Sequence, residues 1–266
     1  MPSKTRLFPE GGEIALAPKI KGVEIRIEGA NVAFLLVHGF CAAPDELQTF
    51  AKLLEDRGID SFSVQLAGHG TKPDDLYGTT WKDWYNSAVA GLEYVKSWNM
   101  EYLLVAGISM GGAISILLAS EYEGIDGLIL FAPAMKIGGA MAKLVPILKH
   151  VMKDREIDVV KAQEIYDIKR TKYNREPVWA YHELFKLQKQ ARKNMSKVSI
   201  PTIVIQGTAD KTLEPKYGKL AYDGISSTDK QLFMIEGGEH VIPCHHTRAV
   251  AYPHAEKFID RITKSN

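Results

Sequence analysis

Apolar and polar positions fall into two rhythms along this chain. "VEIRI" (23–27) and "VAFLLVHG" (32–39) are apolar runs separated by Glu28-Gly29-Ala30-Asn31, and the pattern predicts two strands joined by a turn. Beyond Asp45, a candidate helix cap, Leu47, Phe50, Ala51, Leu53 and Leu54 recur at helical spacing until Gly58. "DSFSVQL" (60–66) reads as a strand, and "GHGTKPDDLYG" after it as a loop rich in turn residues. Trp81, Trp84, Ala88, Leu92 and Val95 mark one face of a helix running from Thr80 to Trp98. "YLLVAGI" (102–108) is a strand, 110–121 a helix, and "GLILFAP" (127–133) a continuous apolar strand closed by Pro133. Strands apolar on both faces, alternating with amphipathic helices, predict a mostly parallel sheet covered by helices.

The rhythm breaks between 136 and 196, where Lys, Arg and Glu dominate a minority of apolar residues. "MAKLVPILKHVMK" (141–153) and "VWAYHELFKLQKQA" (178–191) carry apolar stripes, and no strand is predicted between them. The earlier pattern resumes with the strand "PTIVIQG" (201–207), a helix from near Pro215, the strand "QLFMIEG" (231–237) and a last helix near 247–263. The chain therefore divides into an α/β core of 1–135 and 197–266 and a helical cap or lid of 136–196. Met141, Leu144, Val145, Leu148, Val151, Trp179, Tyr181 and Phe185 are the cap's apolar positions, available for packing or for facing a site.

Composition narrows the function classes. With 266 residues, 45% of them apolar, the chain can bury a sizeable core. A net charge of +1 argues against a dedicated nucleic-acid or anionic-membrane footprint. "MPSKTRLFPEGG" is too polar for the apolar segment of a signal peptide, and no apolar stretch approaches the roughly 18 residues of a membrane span. Cys41 and Cys244 are the two cysteines, without a CxxC pair for zinc or redox work. A cytoplasmic protein with free thiols is expected.

Gly107-Ile108-Ser109-Met110-Gly111 places a serine between a strand and a helix in a G-x-S-x-G pattern. A serine on so tight a turn sits in a strained backbone, and flanking glycines remove the collisions that bulkier residues would make. The turn lifts the hydroxyl above the sheet and leaves the Met110 N–H at a helix N-terminus. A serine hydroxyl needs a base, itself oriented by an acid. Asp210 follows the strand at 201–207, and His240 follows the next one. No Asp or Glu occurs between Asp126 and Asp154, so the preceding strand offers no competing acid. Glu214 stands at a helix start, where it suits the helix dipole.

Among eight histidines, His240 follows a Gly-Gly pair that lets its loop reach over the sheet edge. His245 and His246 stand where the last helix begins and are secondary candidates for the base. His150, His182 and His254 fit surface or packing roles, and His38 and His69 fit loops tied by hydrogen bonds. The Phe40 N–H, at the end of a central strand, pairs with that of Met110 as a candidate two-donor oxyanion hole.

"LLVHGF", "LAGHG", "GISMGG", "GTADKTLEP" and "GGEHVI" resemble the sequential landmarks of the α/β-hydrolase superfamily. Within it the chain is most similar to bacterial and archaeal carboxylesterases and to monoacylglycerol lipases. The resemblance covers residues 32–262. It implies an α/β-hydrolase fold with a helical cap after the sixth strand. It also implies Ser109 as nucleophile, His240 as base and then acid, Asp210 as orienting carboxylate, and the Phe40 and Met110 N–H groups as oxyanion hole. Cys41 departs from the family, where Thr or a small residue is usual. Cys41 and Cys244 both flank site loops, and in the expected compartment they are read as unpaired.

These readings lead to a serine hydrolase of carboxylic esters acting through an acyl-enzyme, with apolar or aromatic acyl groups. No metal or organic cofactor is required. The expected partner is a small-molecule ester, without nucleic acid or stable membrane insertion, and a homodimer is compatible with the sequence. Hydrolysis of amide, thioester or C–C bonds remains open on the same scaffold, as does a slow or non-catalytic ligand-binding or sensor role.

Overall fold

Val32–Val37 (β2) shows how the chain divides its core. Ala33, Leu35 and Val37 face one hydrophobic cluster, and Val32, Phe34 and Leu36 face the other. All six are buried, as a strand with helices on both sides requires. The computed structural model describes residues 20–137, 145 and 152–264. Its main sheet combines β2 with Gly22–Ile25 (β1), Asp60–Val64 (β3), Tyr102–Ile108 (β4), Gly127–Phe131 (β5), Thr202–Gly207 (β8) and Lys230–Ile235 (β9). The order is β1-β3-β2-β4-β5-β8-β9, parallel throughout except for the edge strand β1.

The helices cover both faces. Gln48–Asp56 (α1) and Arg248–Thr263 (α7) pack Phe50, Leu54 and Phe258 against Phe34 and Phe131. Trp81–Lys96 (α2), Met110–Glu121 (α3) and Lys216–Gly224 (α6) cover the opposite face through Trp84, Leu92, Leu117 and Ala221. Each large side chain so removed from water contributes roughly 1.5–3 kcal/mol before conformational entropy is counted. Thr80 and Asp83 close α2 as a capping box, with the Thr80 N–H donating to the Asp83 carboxylate at 2.7 Å. The strand and helix positions read from the pattern thus hold, with ends moved by one to three residues.

The stretch 136–196 departs from its reading in one respect. Asp154–Glu156 (β6) and Arg175–Pro177 (β7) form a small antiparallel hairpin where no strand is predicted. Both are three residues long and largely polar, so neither carries the alternation that marks a strand in sequence. Val159–Gln163 (α4) is a short helix between them, and Val178–Asn194 (α5) is the expected long one, packed on α2 and α3. The region follows β5, the fifth strand among the described residues. The predicted stripe at 141–153 lies outside the described residues except for Val145, which is helical and buried, and Lys153 with Met152, which precede β6.

Asp45 also departs from its reading. It lies within a 3-10 turn, Pro44–Leu47, whose N-cap is Ala43. Its carboxylate instead accepts the Thr171 N–H at 2.7 Å and the Thr171 hydroxyl at 2.8 Å, tying residues 166–173 to the turn after β2. No helix among the described residues is long and apolar enough to cross a membrane.

Candidate active site

Strand β4 ends at Ile108, α3 begins at Met110, and Ser109 makes the turn alone with φ 53° and ψ −116°. A positive φ on a residue with a Cβ is costly and persists only when its surroundings over-determine it. Three backbone bonds do so. The Ser109 N–H donates to the Phe131 carbonyl at 2.9 Å, and its own carbonyl accepts from Ala113 (3.2 Å) and Ala134 (2.9 Å). A serine at a helix N-cap ordinarily bonds its hydroxyl to the first turn. Ser109 makes no such bond, and its Oγ lies 2.9 Å from His240 Nε2 instead.

The loops after β8 and β9 bring Asp210 and His240 together. They can do so because Gly207 and Gly238 touch: a Cβ on Gly207 would stand 2.1 Å from the Gly238 carbonyl oxygen. The loops are further laced by Ala209 N–H to the Gly238 carbonyl and Thr208 N–H to the Ile235 carbonyl. His240 Nδ1 then lies 2.7 Å from Asp210 Oδ2. With a carboxylate there, Nδ1 carries the proton and Nε2 presents a lone pair to Ser109.

Asp210 is buried, yet four donors surround it. Oδ1 accepts the N–H groups of Thr212 and Leu213, each at 2.8 Å, and Oδ2 accepts from His240 and from Gln206 Nε2 at 3.1 Å. Burial by itself would raise the carboxyl pKa. The attraction of His240 and these hydrogen bonds outweigh it and hold Asp210 below the usual range.

On the other side of Ser109 stands the turn after β2. His38 is fully buried and accepts the Leu66 N–H on Nε2 at 3.2 Å, so its Nδ1–H donates to the Gly39 carbonyl at 2.8 Å. That carbonyl belongs to the peptide whose N–H is Phe40's, so the imidazole fixes its plane. Burial lowers the His38 pKa, and the ring ties the loops together through its two hydrogen bonds, as expected from the sequence. No acceptor among the described residues takes the N–H of Phe40 or of Met110. The Phe40 ring is half-buried against Tyr181 of α5 and Trp84, at centroid distances of 5.1 and 6.0 Å. His69 is buried beside it, its Nδ1 on the Ala67 carbonyl at 2.9 Å.

The remaining histidines stay outside this constellation. His245 bonds the Thr247 hydroxyl, His246 stacks near His245, His182 lies beside Trp179, and His254 stacks on Phe233. His150 lies outside the described residues. Glu214 pairs with Lys216 at the start of α6.

Three features of the site were not legible as such. Gln206 is not singled out within the strand at 201–207, and its amide supports Asp210. Glu46 carries no distinguishing signal in the sequence, and it is buried behind Gly39 and accepts that residue's N–H at 2.7 Å. Residues 166–173, not singled out within 136–196, form a strap across the site loops. Tyr173 N–H donates to the Cys41 carbonyl, the Tyr173 hydroxyl bonds Gly68 and Thr71, and Ile168 N–H reaches the Cys244 carbonyl.

Comparison with known proteins agrees with this architecture. Residues 29–244 match the model of the family described as serine aminopeptidase, S33. A carboxylesterase of Bacillus subtilis is 25% identical over 235 residues, covering 88% of this chain and 95% of that protein. A thermostable monoacylglycerol lipase of Bacillus sp. is 26% identical over 234 residues, covering 84% and 89%. Among solved structures, a metagenome-derived lipolytic enzyme superposes with a TM-score of 0.82 at 23% identity, over 91% of this chain and 97% of that one. The monoacylglycerol lipase of Paleococcus ferrophilus does so at 0.72 and 17% identity, over 91% and 99%. The parallel sheet, the strand-to-helix serine and the length of the match lead to one assignment: the chain belongs to the S33 serine aminopeptidase family and has the α/β-hydrolase fold.

Proposed function

We propose that the protein hydrolyses carboxylic esters through an acyl-enzyme on Ser109, with His240 as base and then acid and Asp210 as the orienting carboxylate. The observation that carries this reading is the continuous chain Ser109 Oγ, His240 Nε2, His240 Nδ1, Asp210 Oδ2, with steps of 2.9 and 2.7 Å. Those are hydrogen-bond distances suited to proton transfer without rearrangement.

In the first half-reaction His240 Nε2 takes the proton of Ser109 as Oγ attacks the ester carbonyl. The negative charge on the tetrahedral intermediate is met by the Phe40 and Met110 N–H groups, the latter at the N-terminus of α3. Asp210 stabilises the imidazolium while staying ionised, as its depressed pKa favours. The imidazolium then protonates the departing alcohol. Water, deprotonated by the same nitrogen, attacks the acyl-enzyme and releases the acid and the serine.

The names of the curated relatives, carboxylesterase and monoacylglycerol lipase, support an ester rather than an amide. The partly exposed rings of Phe40 and Tyr181, 5.1 Å apart beside the oxyanion loop, support an apolar or aromatic acyl group. A fluorophosphonate probe should label Ser109, and Ser109→Ala should lose both labelling and p-nitrophenyl ester turnover while keeping its fold. Near wild-type turnover by that variant rejects the assignment. A panel from acetate to palmitate, with monoacylglycerols, a feruloyl ester and an aminoacyl p-nitroanilide, identifies the substrate class; preference for charged short acids or for the anilide overturns this part of the reading.

A further inference from the structure

Glu46 is a carboxylate at 4% exposure whose two oxygens serve two different segments. Oε2 accepts the Gly39 N–H at 2.7 Å, and Oε1 accepts from the guanidinium of Arg170, itself buried in the strap, at 3.2 Å. Gly39 lies between that carboxylate and Ser109. A Cβ placed on it would lie 2.7 Å from Glu46 Oε2 and 3.4 Å from Ser109 Cβ. The Arg170 guanidinium stands 5.0 Å from the centre of the Tyr166 ring, and the Tyr166 hydroxyl accepts the Val241 N–H at 3.3 Å. The bridge thus begins one residue before Phe40 and ends one residue after His240.

We propose that Glu46, Arg170 and Tyr166 are positioning residues that set the oxyanion loop in register with the catalytic base, so that the cap strap holds together two halves of the site. The proposal rests on the roles given above to Phe40, Ser109 and His240. A buried ion pair contributes little net stability compared with an apolar filling of the same space, so fold maintenance alone accounts poorly for this one. Arg170 even leaves its Nε without a partner among the described residues. What the pair supplies is direction. A carboxylate fixed by Arg170 fixes the Gly39 N–H, and the next N–H along the chain is the oxyanion donor. An oxyanion donor acts fully only within about 2.7–3.1 Å of the developing charge, and displacement of about 1 Å costs up to about 100-fold in rate.

The test compares wild type with Glu46→Gln, Arg170→Met, the double variant and Tyr166→Phe, on one p-nitrophenyl ester. Glu46→Gln keeps an acceptor for Gly39 but loses the ion pair, and Tyr166→Phe loses only the bond to Val241. Each single variant of the pair should lower kcat about tenfold with KM changed less than about twofold, and the double variant should be no slower than either single. Tyr166→Phe, the mildest change, should lower kcat at least about threefold with the same split and with an unchanged melting temperature. If the Glu46 or Arg170 variants do not fold, Tyr166→Phe decides alone. Wild-type kcat in the variants, a rise confined to KM, or a double variant whose loss is the product of the singles overturns the bridge. Absence of fluorophosphonate labelling in wild type overturns the reading beneath it, and full labelling with unaffected variants overturns the bridge only.

Discussion

The Cβ that Gly111 lacks would fall 2.0 Å from the carbonyl oxygen of Val37, the last residue of β2. This contact lets α3 start directly over its neighbouring strand and present Ser109 at the top of the sheet. The atom in the way is backbone within a buried strand, so no side chain can rotate aside. Gly111→Ala should therefore lower stability by at least about 3 kcal/mol, by forced strand or helix displacement. Urea denaturation measures it, and a midpoint like wild type would show that the approach is looser than described.

In the proposed mechanism Asp210 acts on Ser109 through His240, and the two bonds it makes to Thr212 and Leu213 N–H hold it in place independently of the imidazole. Asp210→Asn keeps the shape but offers an amide in place of a carboxylate. The imidazole then loses the partner that keeps its proton on Nδ1, and Nε2 no longer presents a lone pair to the serine. Turnover should fall by about 10⁴-fold with little change in KM, the scale of a triad held in the wrong tautomer. Steady-state kinetics on a p-nitrophenyl ester decide, and a loss below about tenfold removes Asp210 from the role.

The parts of the site that sit on one strand end each were legible, because strand, turn and helix signals are local. Ser109 between its glycines, Asp210 after β8 and His240 after Gly237-Gly238 could be ordered along the chain without knowing how the loops meet. Glu46 could not, because an acid on an amphipathic segment ordinarily faces water, and its burial depends on Arg170 far along the chain. The β6–β7 hairpin was hidden for a different reason. Its strands are three residues long and largely polar, and the buried positions of β7 are Glu176 and Pro177, so no hydrophobic period records them.

Cys41 and Cys244 are both free thiols, as expected, and both are fully buried. Burial pushes the Cys41 thiol well above its usual range and that of Cys244 up to about 12. A thiol that is neither ionised nor reachable does not attack a disulfide reagent. Native protein should accordingly react with neither thiol in an Ellman assay over minutes, and both should react after denaturation. Dithiothreitol should leave the melting temperature unchanged. Rapid reaction of one thiol in native protein would mean that the strap opens readily, since Tyr173 N–H covers the Cys41 carbonyl.

His69, packed against the Phe40 ring, bears on the stability of the protein against acid. Burial first, then the neighbouring His38, lowers its pKa from the ordinary 6.5 to about 3, and burial lowers that of His38 as well. In the unfolded chain both imidazoles take up protons below about pH 6.5. The unfolded state therefore binds more protons than the native state in the window between about 6.5 and 3, and stability must fall as pH falls through it. For His69 the loss by about pH 5 is on the order of 2 kcal/mol. His69→Asn, whose side-chain amide can still donate to the Ala67 carbonyl, removes that proton uptake without emptying the space. Urea denaturation at about pH 7 and pH 5 should show wild type losing stability between the two and the variant losing distinctly less. Equal losses in both proteins would mean that His69 is protonated in the native state at about pH 5, which its enclosure by Phe40, Trp84 and His38 argues against.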